Sequence, residues 1–197
     1  MKLNVDIHYG KEATADEILS GNYDKVILAT GSKSRIPNIK GIEFAKTADD
    51  YLTGTAQPKN HVVVIGGGLV GCETALFMSE FTDNVTIVEQ FDDILKTVEH
   101  SKNNDLSLRD RLSEAPIDIL TSSLVKEITN GGVVIEVNGE EKTIKSDTTI
   151  IAAGYIPINS LEEEIEDYVD VTVVGDAVKS RKILDAVHEA YHAIRVM

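Results

Sequence analysis

HVVVIGGGLVGCETALFMSEFTDNVTIVEQ, residues 61–90, decides the fold. It opens on Val62 to Ile65, a run of apolar residues suited to a short strand buried on both faces. Gly66, Gly68 and Gly71 follow at GxGxxG spacing, residues 69–81 have helical character, and Val85 to Val88 is a second apolar strand closed by Glu89. GxGxxG alone is a weak signal. Placed between a strand and a helix, with an acid about 20 residues further on, it becomes a dinucleotide fingerprint. Gly66 permits the tight turn, Gly68 lets a pyrophosphate approach the backbone, and Gly71 lets helix and strand pack closely. The helix N-terminus adds unbonded N–H groups and the positive end of a dipole. The candidate phosphate cradle is therefore Gly66, Gly67, Gly68, Leu69, Val70 and Gly71. Glu89 is expected to accept hydrogen bonds from the adenosine ribose. Its charge, with no Lys or Arg in the following Gln90-Phe91-Asp92-Asp93, predicts NAD(H) rather than NADP(H). Glu73 shares the first helical turn without an assignable role, and Cys72 reads as a small packed residue.

Outward from this segment, the pattern is that of an α/β protein. On the N-terminal side, residues 3–8 alternate as a short strand would, and Thr14 to Glu17 fits a capping box opening a short helix through Leu19. Residues 23–31 (YDKVILATG) read as a buried strand running into a turn, and residues 32–60 as an irregular connection. On the C-terminal side come a helix over 102–115, a strand at 117–120, and a three-stranded antiparallel meander over 124–146. The meander's turns are marked by Asn130-Gly131-Gly132 and Asn138-Gly139. TIIAAG at 149–154 repeats the character of ILATG, and a strand at 171–176 precedes a terminal helix over 179–195. The expected architecture is a Rossmann-like NAD-binding domain with a parallel sheet and an antiparallel meander, spanning 48–149. Parts of a second domain flank it at 1–47 and 150–197.

Composition narrows the function classes. The 197 residues carry 33 acidic against 19 basic side chains, a formal net charge of −14. That balance argues against nucleic acid or an anionic membrane as partner, because phosphate contacts need clustered cations. No long apolar run suggests a transmembrane segment and residues 1–20 lack a signal-peptide core, so a cytoplasmic setting is expected. The single cysteine, Cys72, excludes an internal disulfide, a redox CxxC pair and a cluster ligated by this chain's cysteines alone.

The order Ala29-Thr30-Gly31, GxGxxG, Ala153-Gly154-Tyr155-Ile156-Pro157, Gly175-Asp176 resembles the two-dinucleotide-binding-domain flavoproteins of the pyridine nucleotide–disulfide oxidoreductase superfamily. There an NAD domain is inserted in an FAD domain. The resemblance implies that the ATG turn leaves the FAD domain, that the AGxxP turn returns to it, and that Asp176 holds the FAD ribitol. GYIPINSL (154–161) and GDAVKSRKILDAVHEAYHAIR (175–195) are similar to NADH:flavin oxidoreductases related to 2,4-dienoyl-CoA and enoate reductases. Complete members of that branch add an N-terminal barrel with FMN and an iron–sulfur cluster. Ile158 departs from the Asn usual after the proline. Only one GxGxxG is present, so the chain is expected to be a fragment with an incomplete FAD domain, needing the rest of its parent flavoenzyme. The resemblance implies NADH delivering hydride to FAD, with Gly31, Ala153, Gly154 and Asp176 near the cofactors. No side chain is required as acid, base or nucleophile.

Two rival readings remain. A chain without a complete flavin site could serve as an NAD-binding sensor or assembly module. HEAYH, residues 188–192, matches the HExxH of zinc hydrolases, with His188 and His192 on one helical face and Glu189 as base. After His192 no His, Asp or Glu remains as a downstream third ligand, and the apolar spacing Ile183, Leu184, Val187, Tyr191, Ile194 suggests a helix packing on a sheet.

Overall fold

The computed structural model describes residues 5–96 and 102–196. The chain divides into two compact units. One is the continuous segment Ser34–Tyr155, and the other combines Met1–Lys33 with Ile156–Met197.

The first elements belong to the split unit. Residues 5–8 are not a strand, because no neighbouring strand offers them a ladder; residues 3–4 lie outside the described residues. Thr14 caps α1 (Ala15–Ser20) by accepting from the Glu17 N–H at 3.3 Å. The box is only half made, since the Glu17 carboxylate turns to Lys11 Nζ at 3.0 Å. β1 (Lys25–Leu28) follows, and the chain crosses into the continuous unit within β2 (Ser32–Ser34).

The stretch expected to be irregular, 32–60, is more ordered than its composition suggests. After a 3₁₀ turn at Ile42–Phe44 it forms β3 (Ala45–Thr47) and α2 (Ala48–Leu52). Thr47 and Asp50 make a full capping box: Thr47 Oγ1 accepts from the Asp50 N–H, and Asp50 Oδ2 accepts from the Thr47 N–H at 2.9 Å. β3 is an edge strand of the main sheet, and the continuous unit that contains it runs from Ser34.

The fingerprint then folds as its pattern dictates, into β4 (Val62–Ile65), α3 (Leu69–Met78) and β5 (Val85–Val88). α4 (Lys102–Glu114) and β6 (Ile117–Leu120) continue it. The meander is β7 (Leu124–Thr129), β8 (Gly132–Val137) and β9 (Glu140–Lys145), and β10 (Thr148–Ile151) returns to the sheet. The sheet order is β3-β10-β4-β5-β6, parallel throughout.

Period-two alternation makes this a three-layer unit. Val62 and Val64 of β4, with Val85, Ile87 and Ile150, face the helices and pack with Cys72, Ala75, Met78 and Leu112. Val63 and Ile65, with Val88 and Ile151, face the meander and pack with Ile128, Val133 and Ile135. A strand apolar on both faces is what such a sandwich needs, and all four β4 residues are buried.

The chain returns to the split unit through β11 (Tyr155–Pro157), followed by α5 (Ser160–Ile165) and β12 (Asp170–Val173), which pairs in parallel with β1. A 3₁₀ turn at Gly175–Ala177 leads to α6 (Ile183–Arg195), which starts later than the expected 179. The expectation that the apolar face of α6 packs on a sheet is not met. Ile183, Leu184, Val187, Tyr191 and Ile194 are 57–85% exposed, and only Ala193 is buried. The described sheet of this unit has only the strands β1 and β12, too little surface to cover that face.

Candidate functional site

Ligands of open parallel sheets bind outside the carboxyl ends of the strands, and here two turns meet there. Gly66, directly after β4, adopts φ +111°, and its N–H bonds the Val88 carbonyl at 2.9 Å. Directly after β10, the Ala152 N–H bonds the Ile65 carbonyl at 2.9 Å, and Ala152 and Ala153 lie against Gly66, with Gly154 following at φ +91°. Gly71 closes the packing: its Cα lies against the Gly66 carbonyl, with no room for a Cβ. Gly68 differs. It is the N-cap of α3 without any side-chain cap, and the space where its Cβ would point is open. The structure thus presents a bare helix N-terminus above a side-chain-free strip of backbone, which fits a pyrophosphate.

Glu89 stands at the end of β5 as expected, but turned inward. It is 7% exposed; one carboxylate oxygen accepts from the Gly67 N–H at 2.6 Å and the other from the Phe91 N–H at 2.8 Å. The acid therefore braces the turn. A carboxylate has about four lone-pair positions, so two bonds leave acceptor capacity for a ribose. Gly67 is held on its other side too, its carbonyl accepting from the Leu95 N–H at 2.7 Å and from Cys72 Sγ at 3.4 Å. Past Glu89, Lys96 and Arg109 are both engaged by acids. Lys96 meets Asp92 at 2.5 Å, and Arg109 forms a fork on Asp93 with both contacts at 3.0 Å. Glu73 is exposed on α3.

Cys72 is fully buried, and burial pushes its thiol from 9.0 up to about 12. It is a packing residue with a weak donor, as its sequence context suggests. Native protein should resist iodoacetamide at pH 8 and react fully in denaturant, with mass spectrometry as readout. Because the folded thiol titrates above the unfolded one, its contribution to stability is complete below pH 9. It is lost as pH rises toward 12, at up to about 1.4 kcal/mol per pH unit. Cys72→Ala should flatten that part of the alkaline unfolding curve.

Sequence reasoning missed Asp49. One of its oxygens accepts from Tyr155 Oη at 2.7 Å and the other from Ser34 Oγ at 2.6 Å, so one carboxylate ties down both ends of the continuous unit. Arg35 N–H adds a bond to the Gly154 carbonyl at 2.8 Å. Asp49 lies in the first turn of a five-residue helix, and no motif marks it.

In the split unit, Gly31 and Asp176 border one cavity of about 450 Å³, lined also by Ala29, Gly175, Arg181 and Val187. Asp176 accepts from Ser32 Oγ and from the Arg181 N–H, both at 3.2 Å. Asp176 does not cap α6, whose N-cap is Lys182. In the HEAYH stretch, Glu189 accepts from the Gly175 N–H at 2.8 Å and pairs with the Arg181 guanidinium, which together hold its carboxyl below the usual range. A glutamate so engaged is unsuited to act as a hydrolytic base, while His188 and His192 are exposed. No helix among the described residues is long and apolar enough to cross a membrane.

Comparison with known proteins agrees with this fold. Residues 3–176 match the family model described as pyridine nucleotide-disulphide oxidoreductase. Cinnamate reductase of Clostridium sporogenes is 36% identical over 197 residues, covering 98% of this chain and 29% of its own length. NADH oxidase of Thermoanaerobacter brockii is 37% identical over 199 residues, covering 96% and 30%. The structure of a 2-naphthoyl-CoA reductase superposes with a TM-score of 0.81 at 29% identity, covering 91% of this chain and 28% of that one. The chain thus spans less than a third of the length of these relatives. With a glycine-lined turn and a buried acid where a dinucleotide domain requires them, and a family match over most of its length, the chain belongs to the pyridine nucleotide-disulphide oxidoreductase family of flavin-dependent oxidoreductases.

Proposed function

We propose that the Ser34–Tyr155 unit binds NADH and holds it for hydride transfer to FAD within a larger flavoenzyme. The observation that carries this reading is the glycine turn. Its phosphate face is free of side chains, Gly68 is open, and the N-terminus of α3 has no cap of its own. In this reading the N–H groups of Leu69, Val70 and Gly71 receive the pyrophosphate, while Glu89 accepts from the adenosine ribose with the lone pairs its backbone contacts leave over. Ala153, which lies against Gly66, and the Gly154 that follows it are read as the nicotinamide side of the same site. NADH supplies the hydride, and FAD accepts it. The chain's own part is to bind, orient and exclude, and no side chain has to move a proton.

A preference for NADH over NADPH follows from charge. A 2′-phosphate beside Glu89 would meet a buried carboxylate, with Lys96 and Arg109 already committed to Asp92 and Asp93. The split unit is read as the flavin side, with Gly31 and Asp176 at the flavin. FMN and an iron–sulfur cluster would be carried by other parts of the parent. The relatives named cinnamate reductase and NADH oxidase support a parent that draws electrons from NADH.

Isothermal titration of this chain with NADH and NADPH tests the proposal. Saturable NADH binding at least tenfold tighter than NADPH is expected. Absence of binding by either nucleotide sinks it. NADH binding by the intact parent without reduction of its flavin would favour the sensor-module reading instead.

A further inference from the structure

We propose that Glu189, the acid of the HEAYH stretch, is a positioning residue for Asp176. Three observations carry this. Gly175 adopts φ +67°, and a Cβ there would stand 3.3 Å from Ala186 Cβ, so the turn lies close against α6. Its carbonyl serves the local turn, accepting from the N–H groups of Val178 and Lys179, whereas its own N–H points the other way and finds the Glu189 carboxylate at 2.8 Å. The second Glu189 oxygen takes the Arg181 guanidinium, and the Arg181 backbone N–H in turn bonds Asp176 at 3.2 Å.

One carboxylate on the second turn of α6 therefore fixes the residue before Asp176 and the residue that bonds it. Two backbone and hydroxyl contacts leave Asp176 with acceptor positions toward the cavity, and those are the ones a polyhydroxyl chain can use. The functional side of this inference rests on the reading of Asp176 as a flavin-facing acid. The positional side does not.

The test uses the intact flavoprotein that carries this chain. FAD affinity is measured by fluorescence quenching on the apoprotein for Glu189→Ala, Glu189→Gln, Asp176→Ala and the double variant, with the exposed His188→Ala as control. Glu189→Ala should weaken FAD roughly tenfold. Glu189→Gln, which keeps an acceptor for Gly175 but loses the charge, should fall between it and the native protein. In the Asp176→Ala background Glu189→Ala should add nothing, because its route to the flavin is gone. Additive losses would overturn the proposal, since a general structural role is indifferent to Asp176. If Asp176→Ala itself leaves FAD affinity intact, the flavin reading fails. The positional side is then judged by the ¹⁵N–¹H resonances of Gly175 and Asp176 in Glu189→Ala: displaced signals uphold it, and unchanged signals overturn it.

Discussion

Gly71→Ala should lower the thermal midpoint of the Ser34–Tyr155 unit by roughly 10 °C and abolish NADH binding, whereas Gly68→Ala should leave the midpoint almost unchanged and still lose the nucleotide. The two glycines stand three residues apart in one motif and do different work. A Cβ on Gly71 would sit inside the Gly66 carbonyl oxygen and at 3.3 Å from Ala152 Cβ. Both neighbours are anchored: Gly66 by its bond to Val88, Ala152 by its bond to Ile65. The added carbon can be accommodated only by lifting α3 from the sheet. Overpacking against backbone costs about 3 kcal/mol, and for a unit of this size each kcal/mol moves the midpoint by about 3–5 °C. Gly66→Ala should behave similarly, through its positive φ and the Ala152 carbonyl beside it. At Gly68 the conformation is extended and the Cβ direction is empty. Its replacement costs no more than the loss of a good N-cap, about 1 kcal/mol. The new methyl group stands instead where the pyrophosphate would lie, and a loss of about a hundredfold in affinity is expected (~3 kcal/mol). Differential scanning fluorimetry and calorimetry on the same preparations separate the two effects. A Gly68→Ala protein that binds NADH normally would remove the phosphate from this turn.

The contrast also explains what the sequence made legible. Period-two burial and glycine spacing are local, and local rules placed β4, the turn, α3 and β5 within a few residues of their positions. The meander was readable for the same reason, because turn residues announce it. β3 was not. Ala45–Thr47 is three residues of unremarkable composition that become a strand only because β10 supplies a parallel partner from about a hundred residues later. The same distance hid Asp49, whose importance lies in Ser34 and Tyr155 arriving from opposite ends of the unit.

The terminal helix fails in the opposite direction. Its spacing is amphipathic, but amphipathicity says that a face wants cover and not where the cover is. Within the described residues the apolar side of α6 finds none. Its polar side has a partner that spacing could not reveal: Glu189 looks like a catalytic glutamate only while the Gly175 N–H and Arg181 are out of view.

Glu89 shows how a correctly placed residue can carry a different load from the one expected. Read as a ribose ligand alone, it should tolerate Glu89→Ala in the absence of nucleotide and lose only affinity. The structure predicts otherwise. Removing the carboxylate strands the N–H groups of Gly67 and Phe91, one buried and one partly so. An orphaned buried donor costs about 1–3 kcal/mol, so Glu89→Ala should destabilise the ligand-free unit by about 2–4 kcal/mol in urea titration and lose NADH. Glu89→Gln keeps one acceptor but turns an NH₂ group toward the other N–H, so about 1–2 kcal/mol is expected. Glu89→Asp is a methylene too short to span contacts of 2.6 and 2.8 Å at once. A consequence follows for cofactor switching. Glu89→Arg supplies a cation for a 2′-phosphate but withdraws the brace from Gly67, so it should yield a weakened protein poor with both nucleotides rather than a clean NADPH enzyme. Preference is better moved from Asp92 or Asp93, whose acids occupy Lys96 and Arg109 at the surface. Asp93→Ser, which removes the forked contact and leaves Arg109 only Asp105 and the Ile94 carbonyl, should narrow the NADH:NADPH affinity ratio while leaving stability within about 1 kcal/mol of native. If Glu89→Ala instead keeps native stability without ligand, its bond to the turn is incidental and the ribose is its only task.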